Sequence, residues 1–406
     1  MEISFLMKVI TLILGFCFLI GCEILLIYFI MPFPGSQEDE SIQLAYLIHG
    51  NIWYLRALGI LLVAYPAYSL FRKGLQTTQI IIGVVIIFYG FVFYTLNFLF
   101  LADKMFLQPK NKSFAVAAEN KVPESQLVLG VAVGNQSKAY PIRIIGYHHQ
   151  VRDTVAGQPI MVTYCTVCRA GRVYDPQVDG RPENFRLVGM DHYNAMFEDQ
   201  TTKSWWRQVN GTAIIGHLKG KQLLEIPAEQ MTLANWINLH PQTLIMQPDT
   251  LFNDAYEQLE DYDEGNMAGR LESKDSVSWR DKSWVVGVQV GSQARAYDWV
   301  ELQNVRLVED TLDSLPILVA IDPDSATFHV FNRIVKADTL SFSMINDGQN
   351  LSDKKTKSVW NWNGRCVEGE LSGYNLIVIQ SYQEYWHSWR MFRGDNAYLL
   401  KTASTK

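Results

Sequence analysis

"VLGVAVGNQSKAYP", residues 128–141, recurs as "VVGVQVGSQARAYD", residues 285–298. Residue 128 maps onto 285, an offset of 157, and the same offset carries "PIMV" (159–162) onto "PILV" (316–319) without a gap. Farther along, "DQTTKSWW" (199–206) meets "DKKTKSVW" (353–360) at an offset of 154, and Trp236 meets Trp389 at 153. The drift needs only small net deletions in the second copy, so one unit of roughly 125 residues is present twice. The copies define a first lobe at 105–250, an acidic linker at 251–280 and a second lobe at 281–406. Short β-rich runs such as "LVLGVAV", "QPIMVTY" and "GRVYD", punctuated by Gly, Pro and Asn, precede a short helical stretch in each copy. This reads as a β-rich α+β region of two repeated lobes rather than a doubly wound parallel sheet.

Upstream of the repeat the composition changes. Three apolar runs, Leu6 to Met31, Ile52 to Phe71 and Ile80 to Leu101, are each long enough to cross a hydrocarbon core as a helix. The first is too long for a signal-peptide core and lacks a small-x-small cleavage site. Residues 1–104 therefore read as a three-span transmembrane anchor. "PFPGSQEDE" after the first span has no Lys or Arg, whereas "FRKG" after the second carries Arg72 and Lys73. The positive-inside rule then puts the N-terminus in the cytoplasm and the repeat region outside it, in the periplasm of a bacterial inner-membrane protein. Glu23 and Arg56 sit within spans, where a charge is by default a functional candidate, and read more simply as an ion pair or as side chains snorkelling to the interface. Cys17 and Cys22 read as packing or lipid-facing residues. The net charge of −6, with no basic tract, argues against nucleic-acid binding.

The repeat also serves as an internal control. Residues kept in both copies are framework: the Ala-Tyr turn region, the Thr-Lys-Ser-x-Trp stretch and Trp236/Trp389. Residues special to the first copy are candidates for chemistry. Cys165 maps onto Asp322, Cys168 onto Ser325 and His148 onto Val305. Cys366, alone in the second copy, reads as a small buried apolar residue.

"YHHQVRDTVAGQPIMVTYC" (147–165) reads as a hairpin turning at Ala156–Gly157, with cross-strand partners summing to 313. Thr154 then faces Pro159, Val151 faces Val162 and His148 faces Cys165, whose Cβ atoms would lie about 5 Å apart. The turn after Cys165 returns Cys168 toward it. One imidazole and two thiolates suit copper, zinc or iron better than magnesium or calcium. "GMDHYNAMFED" (189–199) offers Met190, His192 and Met196 as further soft ligands, which favours copper. The rival readings of the Cys-x-x-Cys pair are a redox or structural disulfide, suited to an oxidising compartment, and inert packing. Arg169 follows Cys168 where covalent haem attachment needs His, and no nucleotide cofactor is expected.

From about residue 120 to 400 the chain resembles the uncharacterised bacterial family catalogued as domain of unknown function 3179. The motifs are "VLGVAVGNQSKAYP", "HHQVRD", "VTYCTVCRAGRVYD", "TTKSWWRQVNGTAIIGHLKG", "ANWINLHPQT" and "YWHSWRMF". The family pattern has His-Glu where this chain has His148-His149, and Pro-Leu where it has Thr166-Val167. The three-span N-terminus is an addition to that pattern. The resemblance implies an extracytoplasmic domain and no established reaction. The expected function is a membrane-anchored periplasmic protein that binds a soft metal, copper before zinc or iron, through His148, Cys165, Cys168, His192 and Met190. It would handle metal or electrons with another envelope or respiratory protein. The alternatives are a thiol–disulfide oxidoreductase using Cys165 and Cys168, and an assembly protein whose disulfide staples a hairpin. Against the oxidoreductase, the pair sits on a hairpin and not at a helix N-terminus, where thiolates are best stabilised.

Overall fold

Apolar runs without Pro or Gly clusters satisfy their backbone internally as helices, and three such helices open the chain: Glu2–Tyr28, Ile42–Lys73 and Gln76–Tyr94. The computed structural model describes residues 2–73, 75–267 and 271–399. Each helix is long and apolar enough to cross a membrane. The second begins ten residues before the expected run, because Ala45 and Ile48 already pack inward. Glu23 and Arg56 form the expected ion pair, both buried. Arg56 Nε donates to Glu23 Oε1 at 2.8 Å and Nη2 to Oε2 at 2.7 Å. Asn97 closes the network: its Oδ1 accepts from Arg56 at 2.6 Å and its Nδ2 donates to Glu23 at 2.8 Å. The Tyr89 hydroxyl adds a further bond to Glu23 at 3.1 Å. Buried charges persist when paired and hydrogen-bonded, and these bonds tie all three apolar segments together.

The chain divides into two compact units that do not follow the repeat boundaries. The first joins the helices, through Leu107, to Glu183–Arg207 and Thr212–Gln222. Those later segments form a four-stranded antiparallel sheet, ordered Ala213–Ile215, Trp205–Arg207, Asn194–Asp199, Phe185–Asp191. Ile30 and Ala45 pack with Val188, Met196 and Trp205 from that sheet. Met190 N donates to Ile30 O at 2.7 Å, and a Cβ at Gly189 would overlap the same carbonyl, so only glycine fits there.

The second unit holds Gln108–Pro182, Gln208–Gly211 and Leu223–Lys406, and here the repeat is visible in the register. Val131 faces Lys138 in the first copy and Val288 faces Arg295 in the second. In both, a sheet of the same order follows: Leu244–Met246, Gln136–Pro141, Leu127–Val133 and Glu229–Thr232 in one, Ala397–Tyr398, Gln293–Asp298, Trp284–Val290 and Ser381–Tyr385 in the other. A Cβ on Gly130 would overlap the Trp236 ring, and one on Gly287 the Trp389 ring. Bare backbone at these strand positions is what lets each indole lie flat on its sheet. The three-stranded sheet Gln150–Val155, Gln158–Cys165, Ala170–Tyr174 repeats as Leu307–Leu312, Leu315–Ile321, Phe328–Asn332.

The segment expected as a linker is not a solvated tether. Phe252, Tyr256, Tyr262 and Met267 are buried in the core of the first copy with Ile145, Val162 and Tyr164. Residues 268–270 of it lie outside the described residues.

The copies also dock reciprocally. Tyr385 N donates to Cys168 O at 2.9 Å, bringing the second copy's last strand to the first copy's cysteine turn. Conversely, Thr232 N donates to Thr327 Oγ1 at 3.2 Å and Asn235 Nδ2 to Asp322 Oδ2 at 3.2 Å. Gln230 and Gln383, equivalent at the offset of 153, bond to one another at 2.9 Å between them.

Candidate functional site

The hairpin carrying the cysteines has the expected register: Thr154 faces Pro159 and Val151 faces Val162. It ends sooner than expected. The last ladder pair is Gln150 with Thr163, so His148 does not face Cys165. Ile142–His148 is a helix instead, and His149 caps it in the left-handed conformation at φ 60°. That reversal is what lets a helix feed directly into a strand. His148 is wholly buried among Tyr147, Phe252 and Tyr256, and its Nε2 shares a hydrogen bond of 2.7 Å with the Tyr256 hydroxyl. Met190, His192 and Met196 belong to the first compact unit. Met196 is core, Met190 is held at Ile30, and His192 Nδ1 bonds Asp191 at 2.9 Å. Among the described residues, no group of three or more His, Cys, Asp and Glu side chains stands close enough to hold a metal ion.

What the structure does bring together is the cysteine pair. Cys165 ends one strand, Cys168 lies in the turn before the next, and both are wholly buried as thiols and not as a disulfide. The Cys168 thiol is in hydrogen-bond contact with Cys165 and with the Ser388 hydroxyl. Burial, reinforced by Cys165, pushes the Cys168 thiol well above its ordinary value, and the Glu384 carboxylate adds to this. Ser388 works the other way.

The opposite wall comes from the second copy. The carbonyl of Val167, between the cysteines, accepts from Lys282 Nζ at 2.9 Å and lies 3.1 Å from His387 Nε2. Both side chains are half-buried and mark the solvent edge of the turn. Burial lowers the Lys282 ammonium, and the two thiols pull it back up. Burial, then the Lys282 charge, pushes His387 down to about 3, so its imidazole is neutral at physiological pH. Behind the turn, Arg169 lies on the Trp284 ring at 3.6 Å and donates to Gln383 at 2.6 Å and to the Tyr262 carbonyl at 3.0 Å. Arg172 pairs with Glu384, and the Glu384 carboxylate accepts from Ser388 at 3.1 Å.

Lys282, Glu384, His387 and Ser388 are absent from the sequence-based site. The internal control could have found them: at the offset of 153, Glu384 replaces Met231 and His387 replaces Ala234. Nothing near the cysteines in the sequence points to them, since they lie more than 100 residues farther along the chain.

The mirror-related position in the second copy carries no thiol, and His329 stands where the first copy has Arg172. It is buried, 3.7 Å from Glu229 and 3.6 Å from Asp322. Burial alone would lower it, but the two carboxylates win and raise it from 6.5 to about 9. A folded value above the unfolded one means that this stabilisation is complete below pH 6.5 and is lost as pH rises through about 9. At 1.36 kcal/mol per pH unit the contribution is about 3 kcal/mol. Denaturant midpoints measured from pH 6 to 10 are expected to fall across this window, and His329→Gln is expected to flatten the fall. An equally steep fall in the variant would assign it to other groups.

No curated protein and no solved structure matches the chain. Residues 108–396, which hold both copies of the repeat and the cysteine turn, match the family described as protein of unknown function DUF3179, and the chain belongs to that family.

Proposed function

We propose that this is a membrane-anchored protein whose two extracytoplasmic lobes enclose a copper(I) site formed by Cys165 and Cys168. Support for the anchor is the three long apolar helices. Support for the orientation is the pair Arg72 and Lys73 at the end of the second helix, against a loop after the first that carries no Lys or Arg. In a bacterium this is the inner membrane with the repeat on the periplasmic side, and the partner is an envelope or respiratory protein that delivers or takes the ion.

The observation that carries the copper reading is two thiols in contact with no third His, Cys, Asp or Glu in the group among the described residues. Structural zinc takes four ligands, whereas copper(I) is soft and is satisfied by two thiolates. Burial holds the Cys168 thiol well above its ordinary value, and a metal of high thiolate affinity displaces thiol protons on binding. His148, Met190 and His192 are not ligands in this proposal. The second reading, a dithiol that loses two protons and two electrons to an external disulfide or quinone, is favoured by the same contact. The raised Cys168 thiol weighs against it, because the thiolate is the attacking form.

Titration of untagged, reduced, detergent-solubilised protein with copper(I) against a cuprous chelator is the test. Equimolar uptake is expected, with loss in Cys165→Ser and in Cys168→Ser. No uptake by the reduced chain, together with a mass two hydrogens lower in protein purified under air, would replace the copper reading with the disulfide one.

A further inference from the structure

We infer that Lys282 selects the charge of the ion bound at the cysteine turn, favouring a monovalent over a divalent metal. The inference rests on the copper reading above and goes beyond it, because it assigns specificity to a residue of the other copy.

Net charge at the cysteine turn depends on the ion that binds there. Binding a metal releases the protons of Cys165 and Cys168, leaving two negative charges. A monovalent ion brings the centre to minus one and a divalent ion brings it to zero. The Lys282 ammonium adds plus one. The complete site is then neutral with a monovalent ion and carries a net positive charge with a divalent one, so the ammonium is attracted to the first centre and gains nothing from the second.

The other charged groups near the turn leave this balance in place. Glu384 faces Cys168 but is paired with Arg172, so the two sum to zero. His387 accompanies Lys282 at the Val167 carbonyl and is neutral. Arg169 is spent on Gln383, the carbonyls of Tyr262 and Asp263, and the Trp284 ring. Glu272 and Asp275 also face the Lys282 ammonium, and their charge is the same whichever metal binds, so they do not distinguish a monovalent from a divalent ion. Lys282 is held in place from three sides: Nζ donates to Val167 O, the ammonium lies 4.6 Å from the centre of the Tyr385 ring, and its backbone N donates to Asp275 at 2.7 Å.

The repeat supplies an independent observation. At the offset of 157, Lys282 corresponds to Ser125. The cation is present only in the copy that faces thiols. Across from the second copy's turn, where Asp322 and Ser325 replace the cysteines, it is absent.

The test compares copper(I) and zinc(II) affinities, each by chelator competition, in the full reduced chain and in Lys282→Met and Lys282→Arg. Removing a charge that sits on the carbonyl between the two cysteines is expected to weaken copper(I) binding roughly ten- to hundredfold in a partly screened site. The same change leaves zinc(II) binding unchanged or stronger, and Lys282→Arg retains the preference of the parent. Secondary structure by circular dichroism verifies that each variant is folded. Equal shifts for both metals, or no shift for either, overturn the inference while the copper reading stands. Absence of copper(I) uptake by the parent chain removes both.

Discussion

Replacing Glu384 by Ala is expected to lower the unfolding free energy by about 3–5 kcal/mol, the cost of leaving one partner of a buried ion pair alone. Both side chains of the Arg172–Glu384 pair are completely shielded from solvent. Arg172 also donates to the Val209 carbonyl at 3.1 Å and stacks on Tyr382 at 3.5 Å. These contacts hold the guanidinium in place when the carboxylate is gone, so it cannot reach water. Glu225, 3.8 Å from Arg172 and partly exposed, compensates only in part. The Glu384→Leu, Arg172→Met double variant is expected to recover most of the loss, since well-packed apolar replacements of buried pairs are often neutral. Denaturant unfolding of the detergent-solubilised chain measures both. A single-variant loss below about 1 kcal/mol would mean that Glu225 carries the pair.

Trp206→Ala and Trp360→Ala are each expected to cost about 3–5 kcal/mol, the range for removing a large aromatic from a core. The two indoles are shielded to the same degree and do the same work. Trp206 Nε1 donates to Asp199 Oδ2 at 2.9 Å, and Trp360 Nε1 to Asp353 Oδ2 at 3.1 Å. Around each carboxylate the same loop closes, with Thr202 and Ser204 in one copy and Thr356 and Ser358 in the other. Phenylalanine at either position keeps most of the volume and loses only the hydrogen bond, so the loss should drop to about 1–2 kcal/mol. Denaturant unfolding again decides. A difference of more than about 2 kcal/mol between the two alanine variants would show that one copy no longer depends on this loop.

Period and pairing rules made much of this architecture legible before any coordinates. The repeat offset predicts the matched ladders at Val131 and Val288, and uninterrupted apolar runs predict the three long helices. The turn at Ala156–Gly157 fixes the register of its hairpin, because a one-residue slip would turn Val151 and Val162 outward. What failed was the end of that hairpin. Seven residues, Ile142–His148, are too few to show a helical period against a neighbouring strand, and the left-handed cap falls on His149, where no Gly marks it. With His148 drawn into a helix, the third ligand disappeared. The grouping of Glu183–Arg207 and Thr212–Gln222 with the apolar helices was equally unreadable, since Gly189 and Ile30 are far apart in the chain and neither residue type announces the other. The cysteines themselves were found, but their surroundings come from residues 282 and 384–388, and long-range docking leaves no periodic trace in sequence.

That docking has a consequence for how the protein matures. Val167, between the two cysteines, and His387, which meets its carbonyl, are 220 residues apart. Contacts of such separation form late, since loop closure must precede them. As the chain is synthesised, the Cys165–Cys168 turn can fold on its own hairpin while the strand that seals it is still unmade. The thiols therefore meet their surroundings first and are enclosed afterwards, and the order of biosynthesis gives incoming chemistry an interval of access that the finished protein closes.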